Sequence, residues 1–358
     1  MKLLTLIIIF IFYSSSSFSD EEQRNFITHF ANGYVMPVHK SFVESSNKLH
    51  LDNKQFCKNI NADNLIKAKE SFKQVIIDWQ AVQLVAFGAI DKKELNWRIQ
   101  FYPDTKNLVE KKVKNILKGN EKITKEMMKD ASVSIQGIPA IEYLLFDSKY
   151  AQISAYQSNA RQCQLLQVVS HNLLKMSKKL NKYWEKKYLA RLLDASNKEY
   201  MEDNEAVNRI VNAMAGKVDE WVNKKYLIVF GYHLKTSTTK PYLLDYWRSG
   251  YSLDALKAQL DAVSRFYYGH EKHNGLRDLI DKISDDKALL MNIDENFKEL
   301  KSQLDESPAP LFTALREKNN DQKLKKQASV MNEFARLFHY EVPHALGVPA
   351  GYKFNDGD

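Results

Sequence analysis

Between Asn61 and Gly88 the chain reads NADNLIKAKESFKQVIIDWQAVQLVAFG, with no proline and no glycine before its last residue. Leu65, Ala68, Phe72, Val75, Ile76, Trp79 and Val82 recur at steps of three and four residues, the spacing that lines up one face of an α-helix. Gly88 suits a C-terminal stop. Stretches of this kind fill the chain. Its 358 residues include only 12 glycines and 8 prolines, the two residues that helix interiors tolerate least. Further helices are expected over 104–118, 122–130, 150–184, 196–230, 275–304 and 321–341, and SLDALKAQLDAVSRFYYG opens on a cap-like Ser252. Pro37 either kinks or starts a helix in the first amphipathic stretch. No segment alternates as a strand would, so the expected fold class is all-α.

Several landmarks occur twice in the same order. Trp79, VAFG ending at Gly88 and WRIQFYPDTKNL from Trp97 correspond to Trp221, IVFG ending at Gly231 and WRSGYSLDALKA from Trp247. GIPAIEYLL from Gly137 faces GLRDLIDKI from Gly275. Three matches in register predict two helical-bundle domains related by internal duplication, over residues 20–190 and 191–358. One irregular helical domain is the alternative.

The first residues, MKLLTLIIIFIFYSSSSFSD, read as a secretory signal peptide over residues 1–19, with Lys2 ahead of an apolar run and small residues before a cut after Ser19. The mature chain is then expected to be exported and soluble, with no transmembrane segment. Its two cysteines, Cys57 and Cys163, form one disulfide in an oxidising compartment or remain two buried thiols. The formal net charge is +8, carried by lysine-rich helical faces. Solvated faces account for such charge, and peripheral attraction to anionic envelope lipid or polysaccharide is open. Nucleic acid is excluded as a partner, for no nucleic-acid motif accompanies the charge.

The residue that demands an explanation is Glu142, inside IQGIPAIEYLLFD at 135–147. It lies among Ile138, Ile141, Leu144 and Leu145, three residues after Pro139. One reading puts it on a polar helix edge, and another in the first turn, where the helix dipole favours an anion. The third buries it between the two bundles, where a carboxylate needs a cation or hydroxyl partner. Arg98, Asp104 and Arg248 are its candidate neighbours, Tyr143 a hydroxyl donor, and Gly137 shapes the approach to the helix. Asp104 also suits a helix cap, and a charge-paired loop is the architectural account of Arg98 and Arg248. Asp356 and Asp358 in the tail join Glu142 as candidate oxygen ligands for a cation. His171 reads as a packed or surface residue. No HExxH, P-loop, CxxC or Ser/His/Asp pattern occurs.

The stretches SFKQVIIDWQAVQLVAFG, WRIQFYPDTKN, GIPAIEYLLFD, RQCQLLQVVSHNL, DYWRSGYSLDAL and LGVPAGYKFNDGD together resemble the imelysin-like proteins of the bacterial envelope, in family order and over almost the whole mature chain. The resemblance implies an all-helical, two-domain fold with a site between the domains, and the periplasm of a Gram-negative bacterium. It implies an association with iron-regulated uptake, with iron or another divalent metal ion as the open cofactor. The family pattern at the site is Gly-x-His-x-x-Glu. Gly137 and Glu142 match it, and Pro139 stands at the histidine position. The expectation is therefore a non-catalytic protein of iron or haem acquisition that binds a small ligand, a metal or an envelope iron-uptake partner at the interdomain cleft. A metallopeptidase and a purely structural envelope protein are the alternatives.

Overall fold

The computed structural model describes residues 15–349 apart from 91, 195, 233–237, 271–272 and 318–320. Residues 1–14 of the expected signal peptide, and Asp356 and Asp358, lie outside the described residues. The described fold is all-helical, and its only strand pairing is the two-residue antiparallel match of Gly269–His270 with His273–Asn274.

The long helix expected after Asn61 forms as Ala62–Leu84, and Asn61 caps it by accepting the Asn64 N–H. Its stripe, Phe72, Val75, Ile76, Trp79 and Val82, is fully buried. Complete burial of such side chains stabilises by about 1.5–3 kcal/mol each. This helix packs against Met36–Lys58 on one side and Ser252–Tyr268 on the other, so it ties the first half of the chain to the second. Ser15–His29 also crosses over: it packs on Asp203–Asp219, and Arg24 pairs with Asp203 at 2.7 Å. One contiguous apolar core runs through both halves.

Pro37 stands in the first turn of Met36–Lys58, where a missing N–H is tolerated, and a π-turn, Phe30–Val35, leads into it. Several expected runs are interrupted. The run at 150–184 breaks at Asn159, whose side chain accepts from Arg161 N–H, giving Ile153–Ser158 and Ala160–Tyr183. Asp286 likewise splits 275–304 into Leu276–Ile283 and Lys287–Asp305 by accepting from Leu289 N–H. Over 122–130 there is only a 3₁₀ turn, Glu126–Lys129. The run at 196–230 begins helically at Asp203. Ser252 is not the cap of its helix: it occupies the first turn and donates Oγ–H to the Asp245 carbonyl at 2.6 Å.

Cys57 and Cys163 form a disulfide, joining the last turn of Met36–Lys58 to the first turn of Ala160–Tyr183. Among the described residues no helix is long and apolar enough to cross a membrane.

Candidate functional site

Gly137 immediately precedes the helix Ile138–Phe146. A Cβ on it would lie 2.1 Å from the carbonyl oxygen of Ile99 and 2.6 Å from that of Arg98. Only glycine lets this turn lie flat on the short helix Leu95–Ile99. Pro139 follows in the first turn, where its lack of an N–H is harmless. The helix so placed is otherwise apolar and delivers Glu142 inward at 5% exposure.

Glu142 Oε1 accepts two hydrogen bonds from Ser249, one from its N–H and one from its Oγ–H, both at 2.9 Å. Oε2 accepts none from the described residues. Burial pushes the carboxyl above the usual carboxylate range, while the Ser249 bonds and the Arg248 charge pull it back and Asp245 adds to the rise. Both donors come from the second half of the chain, 107 residues away. The carboxylate thus sits in a seam between halves, at the edge of a cleft of about 340 Å³.

Arg248 shares that cleft at 12% side-chain exposure. Its guanidinium lies 4.2 Å from the Trp247 ring centre and 5.1 Å from that of Tyr143. It donates to Asn107 Oδ1 at 3.2 Å and lies 3.7 Å from Glu110 and 3.8 Å from Asp147. Its Nε is buried without a hydrogen bond. Trp247 stacks on Phe312 and meets Tyr242 edge-on, so the rim is aromatic, with Tyr242 62% exposed.

The expected neighbours divide. Arg248 and Asp104 line the cleft with Glu142. Asp104 is committed to the backbone: Oδ1 accepts from Leu108 N–H at 2.6 Å and Oδ2 from Val109 N–H at 2.9 Å, which starts the helix at Leu108 rather than at 104. Arg98 is turned away from Glu142. It donates to Gln136 Oε1 at 2.7 Å and braces the turn before Gly137. Tyr143 is buried against Arg248 with its ring, and burial raises its hydroxyl pKa strongly. His171 is half-buried on Ala160–Tyr183, away from the cleft.

Three features carried no local signal. Ser249 holds Glu142. Lys225 and Asp245 form an ion pair at 2.6 Å behind the cleft, 3% and 7% exposed, with the Lys225 ammonium 4.6 Å from the Tyr102 ring centre. Beside it lies a buried network of neutral groups: Gln100 Oε1 accepts from Trp79 Nε1–H, Gln83 and Tyr246 O–H, and Gln80 Oε1 accepts from Gln83 and Gln259. Tyr246 holds φ +58°, a left-handed conformation that costs a bulky residue about 1 kcal/mol, and two hydrogen bonds of its hydroxyl secure it. Two glutamines in the run DWQAVQL were the only hint of this network.

These carboxylates do not fit a metal centre. Asp245 is bound to Lys225, Asp104 to two backbone N–H groups, Glu110 to Lys114 and Asn107, and Asp147 faces Arg248. Among the described residues no three His, Cys, Asp or Glu side chains gather as a ligand set. The ion pair is architectural, and its removal is a test. Lys225→Met should lower stability by about 3 kcal/mol, because Asp245 is left charged and unpaired in the interior. Adding Asp245→Asn should recover part of the loss. Equal urea midpoints for parent and single variant would contradict the pairing.

Fold and site together define an all-helical protein with a buried carboxylate between two helical halves. The Imelysin family model matches residues 35–337, and the chain belongs to the imelysin family. Among solved structures it is similar to an imelysin-like protein from Psychrobacter arcticum, with 19% identity and a TM-score of 0.76 over 93% of this chain and 98% of that one. It is also similar to a protein named as an iron-regulated protein A precursor from Parabacteroides distasonis, with 15% identity and a TM-score of 0.72 over 89% of this chain and 94% of that one. No curated protein matches.

Proposed function

We propose that this chain is an exported, periplasmic binding protein of iron or haem acquisition, and that its cleft takes a small ligand or a segment of an envelope partner without catalysing a reaction. The observation that carries the reading is Glu142: nine-tenths buried, anchored through Oε1 alone, and bordering an aromatic-rimmed cleft that also contains Arg248. A carboxylate with an unengaged oxygen at such depth gains most from a ligand that donates a hydrogen bond or a positive charge. Arg248 can meet an acidic group on the same ligand, and Trp247 and Tyr242 offer ring surface. The iron link comes from family membership and from the iron-regulated precursor among its structural relatives. Against peptide hydrolysis stand Pro139, which carries no ligand or proton-transfer atom where the family motif has histidine, and the committed partners of the nearby acids.

The two-domain, duplicated organisation belongs to the same proposal. Gly88 and Gly231 both take left-handed conformations, at φ +73° and +72°: Gly231 caps Ile228–Phe230, and Gly88 lies in the turn that follows Ala62–Leu84, which Val85 caps. Gly137 and Gly275 both precede short helices, and both lie so close to another backbone that a Cβ would sit under 2.5 Å from it. A boundary near residues 186–197 places Glu142 and Ser249 on opposite sides of the seam.

Glu142→Gln tests the cleft, for it keeps the shape and removes the charge. Titration with ferrous iron, ferric citrate and haemin, read by calorimetry, should show affinity for one probe falling about ten- to hundredfold, the range for losing a charge-assisted hydrogen bond. Binding to the parent should strengthen as the pH rises through the carboxyl's elevated titration, because the ionised form is the one engaged. A variant that binds as well as the parent defeats the reading, and a parent that binds none of the three defeats its small-ligand form.

A further inference from the structure

Away from the cleft, the helices Met36–Lys58 and Ala160–Tyr183 pack side by side, and basic residues meet across their outer faces. His50 and His171 lie 5.3 Å apart by ring centre, and His50 Nδ1 is 3.1 Å from Ser170 Oγ. Lys54 stands one turn after His50, and Lys175 and Lys178 stand one and two turns after His171, at the i, i+4, i+7 spacing that shares a face. Lys125, from the loop before the 3₁₀ turn, acts electrostatically on both imidazoles.

The cations of this patch cluster without an ion-pair partner. Some helix-borne lysines elsewhere do find carboxylates: Lys73 with Asp254, Lys217 with Glu220, Lys257 with Asp305 and Lys282 with Glu22. Lys54, Lys125, Lys175 and Lys178 have no such partner among the described residues. Of the acids on the same elements, Asp52 is engaged by Lys48 and Ser71, and the exposed Glu126 bonds its own backbone and the Thr124 hydroxyl while feeling the charges of Lys129 and Lys125. Beside Lys54 on the solvent-facing arc stands Leu51, 53% exposed and among the few large apolar side chains left in water. A lysine cluster spread over two antiparallel helices, with an exposed leucine beside Lys54, matches a surface that offers negative charge outside and hydrocarbon just beneath.

We propose that this face docks on the phosphate headgroups of an anionic lipid membrane, with Lys54, Lys125, Lys175 and Lys178 against the phosphates and Leu51 seated at the acyl boundary. The proposal is independent of the cleft, since none of these residues lines it. Burial and the surrounding cations hold His50 down at about 4 and lower His171, so both imidazoles are neutral at pH 7 in the free protein. An anionic surface raises their affinity for protons. Docking therefore takes protons up and strengthens as the pH falls from 7 towards 5.

The test is co-sedimentation of the protein with vesicles of phosphatidylcholine alone and of phosphatidylcholine containing about 30% phosphatidylglycerol, a typical anionic fraction. The apolar stretch at residues 3–13 would favour both vesicle types alike, so the readout is their ratio. The anionic vesicles should win by about tenfold or more at low salt, and the advantage should shrink at high salt. K54E/K175E/K178E should lose about a hundredfold in binding to the anionic vesicles, at roughly fivefold or more per lysine. Leu51→Ser should weaken binding to them more mildly. Both variants change exposed residues, and unchanged circular dichroism confirms the fold. Equal partition between vesicle types, or a triple variant that binds like the parent, overturns the proposal. Binding to soluble dextran sulfate with none to vesicles also overturns it, in favour of a polysaccharide.

Discussion

Removal of the Cys57–Cys163 bridge is expected to lower the unfolding free energy by about 4–5 kcal/mol, the largest single effect the fold offers. The bridge closes a loop between residues 106 positions apart, and the entropy removed from the unfolded chain grows with loop length. The two helices it joins already pack along their length, so the native state needs the bridge little. Its effect falls mainly on the unfolded ensemble. C57S/C163S should therefore show a lower urea midpoint together with a steeper denaturant slope, because the uncrosslinked chain exposes more surface on unfolding. A reductant added to the parent should reproduce both changes. A midpoint that does not move would mean that helix packing holds the unfolded chain together without the link. The cost also bears on where the chain can work, since an oxidising compartment would preserve a contribution that a reducing one would erode.

The all-helical class was legible because the stripe from Leu65 to Val82 has helical period and nothing interrupts it. The helix limits were less so. Asn159 ends one helix and caps the next, and Asp286 caps the helix that follows the Ser284 stop, so periodicity passes over both breaks. The π-turns, such as the one at Phe30–Val35, leave no compositional mark at all. At the site, Glu142 announced itself as a charge where every neighbour is apolar. Its anchor did not, because Ser249 is an ordinary residue in a distant turn. The two Trp-Arg segments looked alike, yet Arg248 reaches the cleft while Arg98 bonds Gln136. Sequence likeness marks corresponding positions, whereas the partner of a long side chain depends on the surrounding packing. Gln80, Gln83, Gln100 and Gln259 were hidden for a related reason. A neutral amide counts as polar in any pattern, and only three-dimensional proximity reveals that these amides satisfy one another in the interior.

Gly137→Ala is expected to destabilise the protein by about 3–4 kcal/mol and to disable the cleft with it. The added methyl would meet the Ile99 and Arg98 carbonyl oxygens, which are main-chain atoms and cannot rotate aside as a side chain could. Relief requires the turn to lift off Leu95–Ile99, and the helix Ile138–Phe146 starts from that turn. Lifting it withdraws Glu142 from Ser249 and loosens the Gln136 contact that Arg98 braces. Gly216→Ala is the matching control, because its added methyl meets nothing within 4 Å in the last turn of Asp203–Asp219, where the chain continues into the π-turn Glu220–Leu227. There the helix should gain about 0.5–1 kcal/mol. Opposite signs for one chemical change separate close approach from the general entropy of glycine. Gly275→Ala carries the argument to the second half, where a Cβ would lie 2.3 Å from the Tyr267 carbonyl oxygen and 2.4 Å from the Gly269 nitrogen. It should cost as much as Gly137→Ala while leaving the geometry at Glu142 intact, so that stability falls and cleft affinity does not. Thermal melts and haemin titrations of the three variants read both quantities, and a Gly137→Ala protein that melts with the parent would show that this contact does not set the helix in place.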